Sequence, residues 1–223
     1  MGLLLLIRHG RTPANVDGIL AGRTPGVELD EVGKKSAYEL GDRLGSVPVV
    51  HVVSSPLERT QQTASLALSS VPVAYDDRLI ECDYGVWQGR KISELATEDL
   101  WKVVQERPAD VTFPDGETMA AMAARAVECI REWDAKLSAE HGDDVVWAAV
   151  SHGDVIKAIC ADALGMTLND FQRIMIDPCS VSVIRYSSSG SAVSKLNDTG
   201  IGWLEKLHVE APQLGGQSGK GQE

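Results

Sequence analysis

One stretch decides the fold of this chain: Leu3-Leu4-Leu5-Leu6-Ile7-Arg8-His9-Gly10-Arg11-Thr12. Its opening residues are apolar and do not alternate with polar ones, which is typical of a strand buried on both faces of a parallel sheet. Two more short apolar runs lie at residues 49–53 and 145–150. Each run is followed by polar residues and then by a helical pattern. Strands that alternate with helices predict an α/β fold, a three-layer α/β/α sandwich with a mainly parallel central sheet.

Helical periodicity fills the segments between the predicted strands. Helices are expected at residues 30–44, 57–69, 117–140 and 154–164, with a shorter helical stretch at 91–104 and a late strand at 181–186. In the longest of them, apolar residues recur every three or four positions and predict one buried stripe. Asp30 is the predicted N-cap of the first helix, and Gly165 is predicted to follow the last one.

Length and composition predict one globular domain. The chain has 223 residues, of which 43% are hydrophobic, enough for a sizeable core. We expect this domain to span residues 1–208 and the Gly- and Gln-rich residues 209–223 to form a disordered tail. The four cysteines are widely spaced and form no C-x-x-C pair, so reduced and mostly buried thiols are expected.

The charge of the chain limits its partners. A net charge of −11 argues against nucleic acid, whose phosphates an acidic surface repels. It leaves a small phosphorylated substrate open, because a few arginines in a cleft can reverse the local potential. The apolar run at the amino terminus is too short for a signal peptide, and no segment has the length to span a bilayer. We therefore expect a cytoplasmic protein without a membrane partner.

Nucleophilic and cationic side chains follow the three predicted strands, where sheets of this kind bind their ligands. These segments are Arg8-His9-Gly10, Ser54-Ser55-Pro56 with Arg59 one turn into the next helix, and Ser151-His152-Gly153. Glycine after each histidine lets a ligand approach the backbone closely. Phosphoryl transfer requires positive charge around the phosphoryl oxygens, a nucleophile and a carboxylic acid that protonates the leaving group. The sequence offers a candidate for each requirement.

Four blocks resemble the histidine phosphatase superfamily, also called the phosphoglycerate-mutase-like superfamily. In chain order they are Arg8-His9-Gly10, Ser55-Pro56-Leu57-x-Arg59-Thr60-x-Gln62-Thr63-Ala64, Glu81-Cys82-Asp83-Tyr84-Gly85-Val86-Trp87-Gln88-Gly89 and Val150-Ser151-His152-Gly153. The first block alone is a short match, whereas four blocks in the family's order are specific. The resemblance covers the chain from residue 3 to about residue 186 and implies the phosphoglycerate mutase-like fold.

The resemblance implies a role for each main candidate. His9 is expected to be the nucleophile that becomes phosphohistidine. Arg8 and Arg59 are expected to clamp the phosphoryl oxygens, and His152 to hydrogen-bond the group as charge develops. Glu81 is expected to act as general acid and then as general base.

Three more positions are implied to serve the substrate site. Asn15 matches an asparagine that touches the phosphate, Thr12 supports the loop, and Gly153 follows the second histidine. Arg11 departs from the family, in which glutamate or glutamine is usual. Arginine there either adds positive potential near the mouth of the site or points to solvent, and the second alternative is favoured because arginine is usually exposed.

Two alternatives to these roles carry less weight. Asp83 competes with Glu81 as the acid, but its position in the motif disfavours it. A metal site is disfavoured because the histidines lack H-x-x-H or H-E-x-x-H spacing, and because a cation would compete with Arg8 and Arg59 for the phosphate. No cofactor and no metal are expected.

The favoured function is metal-independent hydrolysis of a small phosphomonoester through phosphohistidine. A phosphoglycerate mutase-type transfer is the first alternative, in which a longer stretch before the second histidine excludes water. Here that stretch is short, and its signature Phe113-Pro114-Asp115-Gly116-Glu117 resembles the compact phosphatase branch. A non-catalytic phosphate-binding protein is the second alternative, although both His9 and Glu81 are present. The substrate stays open, as does the oligomeric state, for which the family suggests a homodimer or a higher homo-oligomer.

Overall fold

Six strands form one sheet within residues 2–200, the part of the chain that the computed structural model describes. They are β1 (Leu3–Arg8), β2 (Val49–Ser54), β3 (Val73–Tyr75), β4 (Val146–Ser151), β5 (Val181–Ser187) and β6 (Gly190–Asp198). Their order across the sheet is β3-β2-β4-β1-β5-β6. Neighbours among β1 to β4 pair in parallel, and β5 and β6 extend one edge as antiparallel strands. The prediction of a mainly parallel sheet is confirmed.

Both faces of β1 are buried. Leu4 and Leu6 pack into one hydrophobic cluster, whereas Leu5 and Ile7 point the other way into a second cluster. This explains why the run does not alternate with polar residues, since neither face meets water. Burial of each such side chain contributes about 1.5–3 kcal/mol to folding.

Helices cover the two faces of the sheet. Within the described residues, the α-helices are α1 (Pro13–Val16), α2 (Glu31–Leu44), α3 (Glu58–Ala67), α4 (Ile92–Leu95), α5 (Asp99–Glu106), α6 (Met119–His141) and α7 (Gly153–Ala163). The helices α2 and α3 pack on the face of Leu5 and Ile7, and α6 and α7 pack on the opposite face. The predicted three-layer sandwich is confirmed. Between residues 2 and 200, no helix combines the length and the apolar character that a membrane crossing requires.

Most predicted boundaries agree with the structure to within two residues. The Asp30 side chain caps α2 by accepting a hydrogen bond from the Gly33 N–H at 2.7 Å. Gly165 follows α7 with a φ of 68°, in the left-handed region that favours glycine. The cysteines are free and buried, as expected. The predicted tail at 209–223 lies outside the described residues, so the domain limit at residue 208 stays a prediction.

Some elements were not predicted, and each has a weak sequence signal. The strand β3 has three residues, too few for a pattern, and β6 is an edge strand whose residues are mostly exposed. The helix α1 is a single turn. The stretch predicted as helical at 91–104 is divided into α4 and α5.

The helix α2 approaches the loop after β1 so closely that glycine is required on both sides. A Cβ added to Gly33 would lie 2.1 Å from the carbonyl oxygen of Arg11, and a Cβ added to Gly10 would lie 2.8 Å from the carbonyl oxygen of Gly33. From α3, the Thr63 hydroxyl accepts a hydrogen bond from the Gly10 N–H at 3.0 Å. Two helices therefore hold the loop that carries His9.

We predict that Gly33→Ala lowers the free energy of unfolding by about 1–3 kcal/mol, because the new methyl group overlaps backbone atoms that cannot move independently. Gly45→Ala, at the other end of α2, is the matched control, because its Cβ would lie 3.4 Å from the nearest neighbouring atom, the Asp42 carbonyl oxygen, which is an ordinary contact. Urea unfolding of the two variants measures the difference. Equal stability of both variants would contradict the close approach.

Candidate active site

The register of three parallel strands gathers the predicted site residues. The strand β4 lies between β2 and β1, with Arg8 opposite Ser151 and Ser54 opposite Val150. The residues that follow these positions therefore emerge side by side at the carboxyl edge of the sheet. The His9 N–H continues the ladder by donating to the carbonyl oxygen of Ser151 at 3.0 Å.

His9 is held as one neutral tautomer. The Nδ1 atom lies 2.7 Å from the carbonyl oxygen of Gly10, and because a carbonyl only accepts, Nδ1 carries the hydrogen. Burial lowers the pKa of His9 well below its usual value, and the positive charges of Arg59 and Arg8 lower it further. The imidazole is therefore uncharged at neutral pH, and its Nε2 carries a free lone pair.

His152 lies against His9, with their ring centroids 5.3 Å apart. Its Nε2 is 2.8 Å from the Ser55 hydroxyl oxygen, which also accepts a longer hydrogen bond of 3.4 Å from the Leu57 N–H. The Ser55 hydroxyl can donate to Nε2 or accept from it, so both neutral tautomers, with the hydrogen on Nε2 or on Nδ1, satisfy this contact. That Nδ1 is buried and has no partner among residues 2–200. Burial, followed by the charge of Arg59, lowers the pKa of His152 as well.

Two arginines bring positive charge to the site. Arg8 and Arg59 are almost wholly buried. Backbone carbonyl oxygens anchor both: Arg8 Nη1 donates to Ile176 at 2.6 Å, and Arg59 Nη2 donates to Gly22 at 2.7 Å. The Arg59 Nη1 atom is buried without a partner in the described part of the chain. Its N–H groups are suited to donate to an anionic oxygen.

Glu81 is the buried acid of the site. Burial and the negative charge of Asp154 raise the pKa of its carboxyl to about 7, against the opposing effects of Arg59, Arg8 and the Cys82 N–H, which donates to Oε1 at 2.9 Å. A group with this pKa can both give and take a proton near neutral pH.

Asp83 occupies a different position from Glu81. Its side chain is 33% exposed and lies 3.7 Å from Arg23. Glu81 lines the small cavity that His9 also lines, whereas Asp83 is not among the lining residues. The geometry therefore favours Glu81 as the acid.

An ion-paired cluster that the sequence analysis missed holds the main chain at Glu81. The Glu81 carbonyl oxygen accepts hydrogen bonds from Arg23 Nε at 2.8 Å and from Arg125 Nη2 at 3.2 Å. Both arginines pair with Glu117, at 2.8 and 2.7 Å. Glu117 also accepts from the Asp83 N–H at 2.9 Å. Glu117 belongs to the signature that the sequence analysis quoted, but no pattern connects it with Arg23 or Arg125.

A second missed cluster lies beneath the site. The Tyr84 hydroxyl donates to Asp154 at 2.7 Å, and Lys157 Nζ lies 3.5 Å from the same carboxylate. Lys157 also donates to the side-chain oxygen of Gln172 at 3.1 Å. All four side chains are buried. Two signals could have found this cluster, since Tyr84 lies in the acid-bearing block and Asp154 follows His152-Gly153 directly.

The loop residues Thr12 and Asn15 form a capping box at the start of α1. The Thr12 hydroxyl and N–H both donate to Asn15 Oδ1 at 3.0 Å, and the Thr12 hydroxyl accepts from the Asn15 N–H at 3.3 Å. Both side chains line the cavity beside His9. Because Oδ1 of Asn15 is engaged, its amide N–H₂ is the part that could reach a phosphate. Gly153 is the first residue of α7 and does not line this cavity, and its binding role stays a prediction.

The expectation that Arg11 points to solvent is wrong. Its side chain is 25% exposed, and Nε donates to the Asp30 carboxylate at 2.7 Å. Asp30 also caps α2, so the pair ties the loop after Gly10 to that helix. The pairing also neutralises the positive potential that Arg11 was alternatively expected to add to the mouth of the site.

The assembled site can bind a dianion and transfer a group from it. The cavity beside His9 is lined by polar side chains from several loops, among them Thr12, Asn15, Arg59 and Glu81. Within residues 2–200, His, Cys, Asp and Glu side chains form no cluster of three or more that could hold a metal ion. A neutral imidazole, two guanidinium groups and one carboxylic acid together define a site suited to phosphoryl transfer.

Comparison with known proteins agrees with this class. The family model described as "Histidine phosphatase superfamily (branch 1)" matches residues 4–199. A "Probable phosphoglycerate mutase GpmB" from Erwinia tasmaniensis is 30% identical over 90% of this chain and 98% of its own length. "Phosphoserine phosphatase 1" from Hydrogenobacter thermophilus is 32% identical over 93% of this chain and 97% of its own. The solved structure of the α-ribazole phosphatase from Shigella flexneri is 30% identical, has a TM-score of 0.76, and covers 90% of this chain and 98% of that one.

The chain belongs to branch 1 of the histidine phosphatase superfamily. Its α/β fold is the phosphoglycerate mutase-like fold of its structural neighbours. Relatives with names of both kinds, phosphatase and mutase, are similar over nearly the full length of this chain.

We predict that kcat/KM for a phosphate ester with a poor leaving group falls as the pH rises above about 7, because Glu81 then loses the proton that the leaving oxygen needs. For p-nitrophenyl phosphate the fall is smaller, since nitrophenolate departs with little protonation. Above about pH 7 both esters are dianions, because the second pKa of a phosphate monoester is about 6 or lower, so in that range the ratio of the two pH profiles cancels the ionisation of His9.

Two variants check the assignment of this ionisation. Glu81→Gln should remove the pH dependence of the ratio, whereas Asp83→Asn, two residues away, should retain it. Parallel profiles for the two esters in the unmodified protein would contradict Glu81 as the proton donor.

Proposed function

We propose that this protein hydrolyses phosphomonoesters of a small metabolite through a phosphohistidine intermediate at His9. One observation carries the proposal. The N–H groups of Arg59 Nη1 are buried without an acceptor and the Nδ1 atom of His152 is buried without a partner within residues 2–200, and both accompany a neutral His9 whose Nε2 is unprotonated. A buried donor without an acceptor costs about 1–3 kcal/mol. A bound phosphoryl group supplies the oxygens that offset this cost.

The first chemical step transfers the phosphoryl group to the protein. The lone pair on His9 Nε2 forms a bond to phosphorus while the bond from phosphorus to the ester oxygen breaks. Arg8, Arg59 and His152 stabilise the charge on the phosphoryl oxygens. Glu81 gives its proton to the departing oxygen, so the leaving group departs as a neutral alcohol and Glu81 becomes a carboxylate.

The second step returns the protein to its starting state. A water molecule gives a proton to the Glu81 carboxylate and attacks phosphorus, and the electron pair of the N–P bond returns to His9 Nε2. Inorganic phosphate then leaves. Positive charge in both steps comes from Arg8 and Arg59, so the proposal includes no metal ion.

We propose hydrolysis in preference to mutase activity because of the position of residues 92–118, the segment after Glu81, relative to the cavity beside His9. Its apolar side chains pack into the core with Trp87 and Phe113. Of the described residues at 92–118, Ile92 alone lines the cavity beside His9. A mutase must keep water from phosphohistidine until the group is returned, and this segment provides little cover for that purpose.

The mutase alternative is kept because of the similarity to the protein named a probable phosphoglycerate mutase. In that reaction the product alcohol stays bound and takes the phosphoryl group back at a different oxygen. The two reactions therefore differ in their products, inorganic phosphate in one and an isomeric ester in the other.

We predict that the purified protein releases phosphate from p-nitrophenyl phosphate in the presence of EDTA, and that His9→Ala lowers kcat by at least about 1000-fold, as loss of a covalent nucleophile does. His141→Ala is the matched control, because His141 is exposed at the end of α6. Activity that survives His9→Ala would contradict the proposed nucleophile. With 3-phosphoglycerate, isomerisation faster than phosphate release would favour the mutase.

A further inference from the structure

A second cavity opens beside the catalytic one. Its volume is about 490 Å³, within the range of about 300–1,000 Å³ that is usual for small-molecule sites. Its lining residues include Ala14, Asp17, Ile19, Ala21, Thr24 and Glu28. Ala14, Ile19 and Ala21 also line the cavity that contains His9, so the two spaces adjoin. We refer to the larger space as the leaving-group groove.

The walls of this groove are fixed to the catalytic elements. From α3, the helix that carries Arg59, the Glu58 carboxylate accepts from the Gly26 N–H at 3.1 Å and the Gln62 side chain accepts from the Leu29 N–H at 2.8 Å. On the other side, the Gly89 N–H donates to the carbonyl oxygen of Leu20 at 2.8 Å. The groove therefore keeps a fixed position relative to the bound phosphoryl group.

The lining of the groove is apolar apart from Thr24 and two carboxylates. Asp17 and Glu28 are exposed, and the charge of Glu28 also acts on Lys34, whose pKa it raises after the larger effect of Glu31. None of the described lining residues is Lys, Arg or His. The arginines of the flanking segments are already paired: Arg11 with Asp30, Arg23 with Glu117, and Arg90 with Glu98.

We propose that this groove binds the alcohol part of the substrate, and that this part is bulky, largely apolar and uncharged, in preference to one that carries a carboxylate. The inference rests on the proposed function. In an in-line displacement the leaving oxygen departs on the side of phosphorus opposite His9 Nε2. Apolar walls favour an apolar group there, and the two exposed carboxylates, Asp17 and Glu28, repel a second negative charge.

Three primary alkyl phosphates test this preference, because their leaving oxygens are chemically alike: ethyl phosphate, 2-phenylethyl phosphate and 3-phosphoglycerate. At low ionic strength we expect kcat/KM for 2-phenylethyl phosphate to exceed that for ethyl phosphate by about tenfold or more. We expect kcat/KM for 3-phosphoglycerate to be lower than for ethyl phosphate, since Asp17 and Glu28 repel its carboxylate.

A double variant tests the electrostatic part. Asp17→Asn with Glu28→Gln should raise the kcat/KM ratio of 3-phosphoglycerate to 2-phenylethyl phosphate by about fivefold. The matched control is Glu140→Gln with Asp144→Asn, which removes the same charge near the amino end of β4, at the opposite edge of the sheet from His9. That control should leave the ratio unchanged.

The outcomes separate this inference from the proposed function. Equal kcat/KM values for the three esters, or an equal change of the ratio in both double variants, would contradict the proposed role of the leaving-group groove. Neither result would affect the proposal of His9-dependent hydrolysis. No hydrolysis of any of the three esters by the unmodified protein would contradict the proposed function, and the groove with it.

Discussion

Burial of positive charge at the carboxyl edge of the sheet governs the rest of the site. Arg8 and Arg59 lie almost wholly inside the protein, and a buried ion is costly unless other groups compensate it. Carbonyl oxygens of Ile176 and Gly22 accept from the two guanidinium groups, and carboxylates supply the opposite charge nearby. The same burial, together with the positive charge of the arginines, lowers the pKa of His9 and of His152, so both rings are uncharged at neutral pH. The same burial therefore places anion-binding groups beside an uncharged nucleophile.

This electrostatic arrangement gives each group its protonation state. Burial and the positive charges of Arg59 and Arg8 lower the pKa of His9, whereas desolvation and Asp154 raise the pKa of Glu81 to about 7. A neutral base and a protonated acid thus coexist at neutral pH within one cavity. The cluster of Tyr84, Asp154 and Lys157 is part of this balance, since its carboxylate acts on Glu81 from below.

Much of the fold could be predicted because its signals are local. Continuous apolar runs identified β1, β2 and β4, and three- to four-residue periodicity identified α6. The ends of those strands indicated where His9, Arg59 and His152 would meet. Strand order was not predictable from these patterns, although the insertion of β4 between β2 and β1 is what sets the two histidine rings 5.3 Å apart.

What the sequence did not indicate depends on contacts between distant residues. The pairing of Glu117 with Arg23 and Arg125 joins three segments that are far apart in the sequence, and no sequence pattern indicates it. Arg11 was misjudged for the same reason: its exposure depends on Asp30, nineteen positions away, which the fold brings within 2.7 Å. The groove beside the catalytic cavity is likewise formed by loop walls that only the tertiary structure closes.

The proposed mechanism depends on the protonation state of His9, because nucleophilic attack requires a neutral ring with a free Nε2. Nitrogen-15 chemical shifts of the His9 imidazole, assigned by comparison with His9→Ala, measure it directly between about pH 6 and pH 8. We predict a hydrogen on Nδ1, none on Nε2, and no titration across this range. A ring protonated on both nitrogens near pH 6, or one with its hydrogen on Nε2, would contradict it.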